Sequence, residues 1–131
     1  GLADFYRGRV DLVAGLESRG FLIAAPVAVE LGLGTLMIRK AGKLPGPVIG
    51  IDYGLEYGKS RMELQPDSIK EGARVLVLDD VLATGGTVNA SAALIKRAGA
   101  IVESVCVLME LEELDGREHI GDLECEALTL I

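Results

Sequence analysis

The chain is poor in the residues that mark several common protein classes. Its 131 residues include two cysteines and one histidine. Cys106 and Cys125 have neither metal-ligand spacing nor the pattern of a disulfide framework, which argues against a zinc module and a disulfide-stapled secreted fold. Cys106 lies in the apolar run Val105 to Met109 and reads as a buried thiol. His119 has no nearby partner in sequence and reads as an ordinary polar position. No apolar run approaches the ~20 residues of a membrane span. The longest candidate, Phe21 to Leu33, is interrupted by Pro26, Glu30 and Gly32. No basic-then-apolar export signal opens the chain. Two cysteines without such a signal fit a reducing compartment, so the expected location is cytoplasmic.

Basic residues are also in deficit. Thirteen Lys and Arg against twenty Asp and Glu give a formal net charge of −7. That balance argues against general binding to nucleic acid or to an anionic membrane. Against this background, Arg39, Lys40 and Lys43 crowd one short segment, with Lys59 and Arg61 soon after. Alone, such a cluster reads first as a solvated charged loop. Within an acidic chain it also suits a small anionic ligand. Hydrophobic residues make up 50% and charged residues 25%, the balance of a globular domain. The length fits one domain with a single substantial core.

There are no repeats or low-complexity tracts, and strand-like and helix-like segments alternate. Strands are expected at Asp11 to Ala14, Thr35 to Arg39, Arg74 to Leu78, Ile101 to Met109 and Glu124 to Leu130. Val48 to Tyr53 and Ser60 to Leu64 read as a strand pair around a flap-like connection, Gly54 to Lys59. Helices are expected at Gly20 to Leu31, with Pro26 predicting an offset or kink, and at Val88 to Ala98. Val88, Ala92 and Ile95 share one face of the second helix, and Gly99 suits its stop. Lys40 to Pro47 is a loop and Pro66 to Gly72 a turn region. This is the pattern of an α/β domain with a mainly parallel sheet.

The most informative stretch is Val75 to Thr87, Val-Leu-Val-Leu-Asp-Asp-Val-Leu-Ala-Thr-Gly-Gly-Thr. Val75 to Leu78 lacks polar alternation, as a central parallel strand covered on both faces should. Asp79 and Asp80 follow at its carboxyl end, where open α/β sheets place their ligand crevice. Ionised carboxylates accept hydrogen bonds, and vicinal sugar hydroxyls donate them. Ala83 to Thr87 then offers backbone N–H groups with little side-chain bulk, and Gly85 and Gly86 permit unusual backbone angles. Thr84 and Thr87 add hydroxyls, and Thr87 is placed to cap the following helix. An anion gains from that helix N-terminus, and several charge-assisted bonds would contribute more still. Either pair alone is ordinary turn chemistry. In this order they point to a sugar phosphate, with the acids on hydroxyls and the loop on phosphate. No Gly-Lys-Thr or Gly-Lys-Ser triplet ends the loop, so it is not a Walker loop.

This segment resembles the phosphoribosyl-pyrophosphate (PRPP) signature of the type I phosphoribosyltransferases. Three further stretches resemble the adenine phosphoribosyltransferases in particular: Ala14-Gly-Leu-Glu-Ser-Arg-Gly-Phe21, Ile38-Arg-Lys-Ala-Gly-Lys-Leu-Pro-Gly-Pro47 and Leu55-Glu-Tyr-Gly-Lys59. The resemblance covers nearly the whole chain. It implies the type I phosphoribosyltransferase fold: an α/β domain with a mainly parallel twisted sheet, flanking helices and a flap hairpin. It also implies purine salvage, in which ribose 5-phosphate passes from PRPP to adenine, giving AMP and pyrophosphate. Other type I members (xanthine, hypoxanthine-guanine or orotate enzymes) and a non-catalytic PRPP-sensing regulator are the alternatives. Relatives carry an N-terminal hood over the purine, whereas this chain starts at Gly1-Leu-Ala-Asp-Phe5. The expectation is therefore a single core domain, residues 1–131, either truncated before that hood or with the hood lost or replaced.

By the same resemblance, Asp79 and Asp80 hold the ribose hydroxyls, directly or through magnesium and water. Ala83, Thr84, Gly85, Gly86 and Thr87 hold the 5-phosphate. Ser18 and Arg19 contact pyrophosphate from a small loop in which a cis Glu17–Ser18 peptide is expected. Arg39 and Lys43 match pyrophosphate-binding residues, and Ala41 stands where many relatives have arginine. Glu56 matches a proton-handling residue near the purine and Tyr57 a residue that closes the flap, while Lys59 and Arg61 support that flap. Magnesium is implied as a PRPP complex and not as a permanently held ion. The implied partners are PRPP, adenine and a second copy of the chain in a homodimer, with no nucleic acid or membrane.

Overall fold

The computed structural model describes residues 2–55, 58–82, 85–111, 116–121 and 123–130. The elements run α1 (Leu2–Tyr6), β1 (Leu12–Leu16), α2 (Gly20–Leu31), β2 (Thr35–Lys40), β3 (Ile49–Leu55) and β4 (Gly58–Leu64). After a 3-10 turn at Pro66–Ser68 come β5 (Arg74–Leu82), α3 (Gly86–Arg97), β6 (Ile101–Glu110), α4 (Gly116–Ile120) and β7 (Cys125–Leu130). The strands form a seven-stranded sheet in the order β3-β4-β2-β1-β5-β6-β7. The pairs from β2 through β1, β5 and β6 to β7 are all parallel. The β3–β4 hairpin joins the edge of β2 antiparallel. This is the expected mainly parallel α/β sheet with its hairpin.

Alternation along the central strands feeds two cores. Ala14, Leu16, Val75 and Val77 point to one face, where they meet Val88, Leu94 and Ile95 of α3. Val13, Leu76 and Leu78 point to the other, under Ala24, Val27 and Ala28 of α2 and Tyr6 of α1. Val75 to Leu78 are fully buried, as their unbroken apolar run implies. Val88, Ala92 and Ile95 are all buried, and Gly99 (φ 91°) follows the end of α3. Both cysteines are buried thiols.

Several boundaries differ from the sequence expectation. The central strand does not stop at Leu78: β5 runs on through both acids to Leu82, pairing Asp79 with Val107 and Leu82 with Glu110. Backbone pairing is blind to the side chains that break the apolar run. The hairpin also pairs further than expected, to Leu55 opposite Gly58. Helix α2 passes through Pro26 as one element, although proline removes an N–H from its ladder. Helix α3 begins at Gly86, two residues early. Gly85 takes its N-cap position, at φ 89°, with no side-chain cap bond. Thr87 is therefore not the cap; it sits inside the first turn, where its carbonyl accepts the Ser91 hydroxyl at 2.8 Å.

Candidate active site

Because β1, β2 and β5 are parallel neighbours, their carboxyl ends meet along one rim. Described residues singled out in the sequence follow those ends: Ser18 and Arg19 after β1, Arg39 to Lys43 at β2, and Asp79, Asp80, Gly85, Gly86 and Thr87 at and after β5. Fold topology, and not sequence proximity, gathers them.

At β5, Asp79 and Asp80 are both partly buried. The Asp80 N–H donates to Oδ1 of Asp79 at 2.8 Å. Burial pushes the Asp79 carboxyl up to about 7; the neighbouring Asp80 carboxyl adds to this, while the Asp80 N–H and Arg19 oppose it. Asp79, Val81, Leu82, Gly85, Gly86, Thr87 and Val88 line a recess of about 70 Å³. The glycine turn and the start of α3 therefore sit against Asp79. Ala83 and Thr84 lie outside the described residues.

At β1, the Glu17–Ser18 peptide is cis. Ser18 and Arg19 then turn the chain into α2, with the Phe21 N–H donating to the Ser18 carbonyl at 3.1 Å. Arg19 Nε lies 2.7 Å from Asp80 Oδ2, joining the β1 loop to the acid pair. Gly20 makes this approach feasible. A Cβ there would lie 2.7 Å from the Leu78 carbonyl oxygen and 3.3 Å from Asp79 Oδ1.

At β2, Arg39 and Lys43 converge on Glu17. Arg39 Nε donates to Glu17 Oε1 at 3.0 Å, and the Lys40 N–H donates to the same oxygen at 3.1 Å. Lys43 Nζ pairs with Glu17 Oε2. Burial works against the Glu17 carboxylate, but Lys43, the Lys40 N–H and Arg39 together hold it below its usual range. Arg39 also stands over Phe21, with its Cζ 5.6 Å from the ring centroid. Ala41 is exposed. Arg61 ties the hairpin through Asp52 (3.3 Å) and Glu63 (3.1 Å), in keeping with a supporting role. Glu56 and Tyr57 lie outside the described residues, as do the side chains of Lys59 and His119.

Of the expected site residues, Ser18, Arg19, Arg39, Lys43, Asp79, Asp80, Gly85, Gly86 and Thr87 thus share one rim. Sequence reasoning missed Glu17, Gly20 and Glu63. A signal for Glu17 was present, since it is an acid directly after a buried strand, the position Asp79 holds in the motif. Gly20 and Glu63 carried no such mark.

The phosphoribosyl transferase domain matches residues 2–127. The chain is 53% identical, over 122 residues, to the adenine phosphoribosyltransferase of Thermobifida fusca, covering 93% of this chain and 69% of that one. Among solved structures, the adenine phosphoribosyltransferase of Thermoanaerobacter pseudethanolicus superposes with a TM-score of 0.94 at 44% identity, covering 99% of this chain and 76% of that one. The APRTase of Giardia lamblia complexed with 9-deazaadenine gives a TM-score of 0.92 at 38% identity, covering 99% and 75%. A domain match over nearly the whole chain, relatives above half identity and the same fold have one reading: the chain belongs to the phosphoribosyl transferase family, among its adenine phosphoribosyltransferases.

Proposed function

We propose that this protein performs purine salvage, transferring ribose 5-phosphate from PRPP to adenine and releasing AMP and pyrophosphate. The observation that carries the reading is the shared rim. An acid pair, a glycine turn opening a helix, and three cations from two other strands lie along it, and these are the groups that a PRPP molecule calls for.

The chemistry assigns the roles. As the bond from the anomeric carbon to pyrophosphate breaks, that carbon becomes cation-like and the diphosphate gathers negative charge. A base nitrogen forms the new bond. Asp79 and Asp80 hold the ribose hydroxyls, and their negative charge favours the cation-like carbon. Ala83 to Thr87 bind the 5-phosphate, fixing the sugar at the nucleophile. Arg19, Arg39 and Lys43 meet the diphosphate with charge-assisted bonds, and the backbone at Ser18 adds donors. Glu56 handles the proton that adenine loses, while Tyr57 closes the flap and keeps water from the sugar. The consecutive carboxylates of Asp79 and Asp80 offer the hard oxygens that magnesium prefers, so these residues would hold an ion delivered with PRPP. Such an ion, when bound, offsets charge on the departing diphosphate.

Two coarser features complete the proposal. A homodimer is supported by the outer face of α2, where Leu22 and Val29 are 78% and 81% exposed, and by Met37 of β2, 41% exposed. These apolar groups suit an interface between copies. Among the described residues no helix is long and apolar enough to cross a membrane. Two buried thiols suit the reducing cytoplasm.

The test is AMP formation from adenine, PRPP and magnesium, run beside a panel of xanthine, hypoxanthine, guanine and orotate. Adenine is expected to be the preferred acceptor. Turnover with another base in its place would move the assignment within the family, and PRPP binding without turnover on any base would indicate a sensor.

A further inference from the structure

Glu17 directly follows β1 with a side chain only 6% exposed, yet the two cations that it holds are far more open. Arg39 is 29% exposed and Lys43 48%. The division of donors is the informative point. Arg39 gives Glu17 its Nε, the nitrogen nearest the chain, and no bond to its two terminal nitrogens is formed among the described residues. Lys43 gives one of its three N–H donors. The outward donors of both side chains are left for an incoming anion.

The same carboxylate also fixes the backbone that carries these cations, through the Lys40 N–H. A second buried acid, Glu63, captures the Gly42 N–H at 3.0 Å. The Ala41 N–H is held by the Arg61 carbonyl at 3.1 Å, and Gln65 Nε2 donates to the Pro45 carbonyl at 3.0 Å. The basic segment is thereby pinned at consecutive peptide groups before any ligand arrives. Long cationic side chains on a free loop would have to be ordered at the moment of binding, which weakens affinity.

Resting on the transferase reading above, the geometry points to Glu17 as a positioning residue for the diphosphate: its buried carboxylate grips the inner donors of Arg39 and Lys43 and presents their outer donors to pyrophosphate. Glu17 itself touches no substrate. Its effect passes through two side chains and is confined to ligands that carry a diphosphate. That restriction separates positioning from general support of the fold, because AMP carries the 5-phosphate and the purine but no diphosphate.

Isothermal titration of wild-type protein and Glu17→Gln with inorganic pyrophosphate, PRPP and AMP tests it, each with magnesium. The glutamine keeps an acceptor for Arg39 and the Lys40 N–H but removes the charge that holds Lys43. Loss of a charge-assisted contact predicts Kd values for pyrophosphate and PRPP raised about 10- to 100-fold, with AMP changed by less than about 2-fold. On a Lys43→Ala background the Glu17→Gln effect should shrink, since one of its targets is gone. Glu17→Asp keeps the charge and serves as the second variant should the glutamine fold poorly. Its shorter side chain predicts the same selective loss, smaller in size. Equal weakening of AMP and pyrophosphate, or unchanged pyrophosphate binding, overturns the role. Wild-type protein that binds neither PRPP nor AMP overturns the transferase reading instead.

Discussion

Arg19 Nε and Asp80 Oδ2 stand 2.7 Å apart, so a residue expected at the diphosphate is bonded to one expected at the ribose. The two come from different strands, β1 and β5, and their side chains are unequally covered, 76% exposed for arginine and 18% for aspartate. An exposed arginine on a part-buried acid is free to swing to a better anion. Arg19 also leaves the charge on Asp80 compensated until then.

Arg19→Ala is therefore expected to weaken PRPP in preference to adenine. A charge-assisted hydrogen bond is worth roughly 1.5–3 kcal/mol, which converts to a KM for PRPP about 10- to 100-fold higher. Steady-state kinetics with each substrate varied in turn read this directly. A KM that moves for adenine alone would remove Arg19 from the diphosphate.

Asp79 gives a pH prediction with a definite sign. Its carboxyl titrates at about 7 in the folded chain, against about 3.8 ordinarily, with burial as the chief cause. Between those values the folded state holds a proton that the unfolded state has lost. Stability from this group is thus complete below pH 4 and is removed as pH climbs through 7. The cost of the ionised group is of the order of 2–4 kcal/mol. Asp79→Asn should melt with wild-type protein at pH 4 and above it at pH 8, while turnover falls by about 100-fold or more for want of the charge. Thermal melts across pH 4 to 8 check the first part. Parallel curves at every pH would show that Asp79 is not the group responsible.

The sheet and much of the site were legible because both rest on local rules. Val75 to Leu78 could be read as a central strand because four consecutive apolar residues must be covered on both faces. Asp79, Asp80 and the Gly85-Gly86 turn announce a ligand end by residue type. Partnerships across the chain could not be read this way. Glu17 is bonded to Arg39 and Lys43, which lie 22 and 26 positions onward and fold back onto it. Tyr6 is fully buried with its hydroxyl 3.0 Å from Ser104 Oγ, a bond spanning 98 positions. Periodicity carries no trace of either contact.

Gly20 looked like an ordinary helix start, yet the structure makes it a spacer. An added methyl would press on the Leu78 carbonyl and on Asp79 at the point where α2 meets the acid pair. Overpacking of this kind costs about 1–3 kcal/mol, so Gly20→Ala should lower Tm. Because the clash falls on Asp79, KM for PRPP should rise as well. Differential scanning calorimetry with kinetics tests both, and a variant with wild-type Tm and KM would show that α2 moves aside without cost.

The two glycines of the turn before α3 are not equivalent. Gly85 takes φ 89°, a conformation that L side chains rarely adopt, whereas Gly86 is the first residue of α3. Placing a side chain at Gly85 therefore strains the backbone by about 1–2 kcal/mol before any ligand is considered. It also tilts the N–H groups that open the helix toward the anion. Gly85→Ala should raise the Kd for ribose 5-phosphate more than Gly86→Ala does, by about 10-fold. The ribose 5-phosphate titration isolates this effect, since on the proposed assignment that ligand would engage the turn without Arg19, Arg39 and Lys43. If alanine at Gly86 proved the more damaging, crowding of the phosphate by a side chain, and not turn geometry, would be what the glycines prevent.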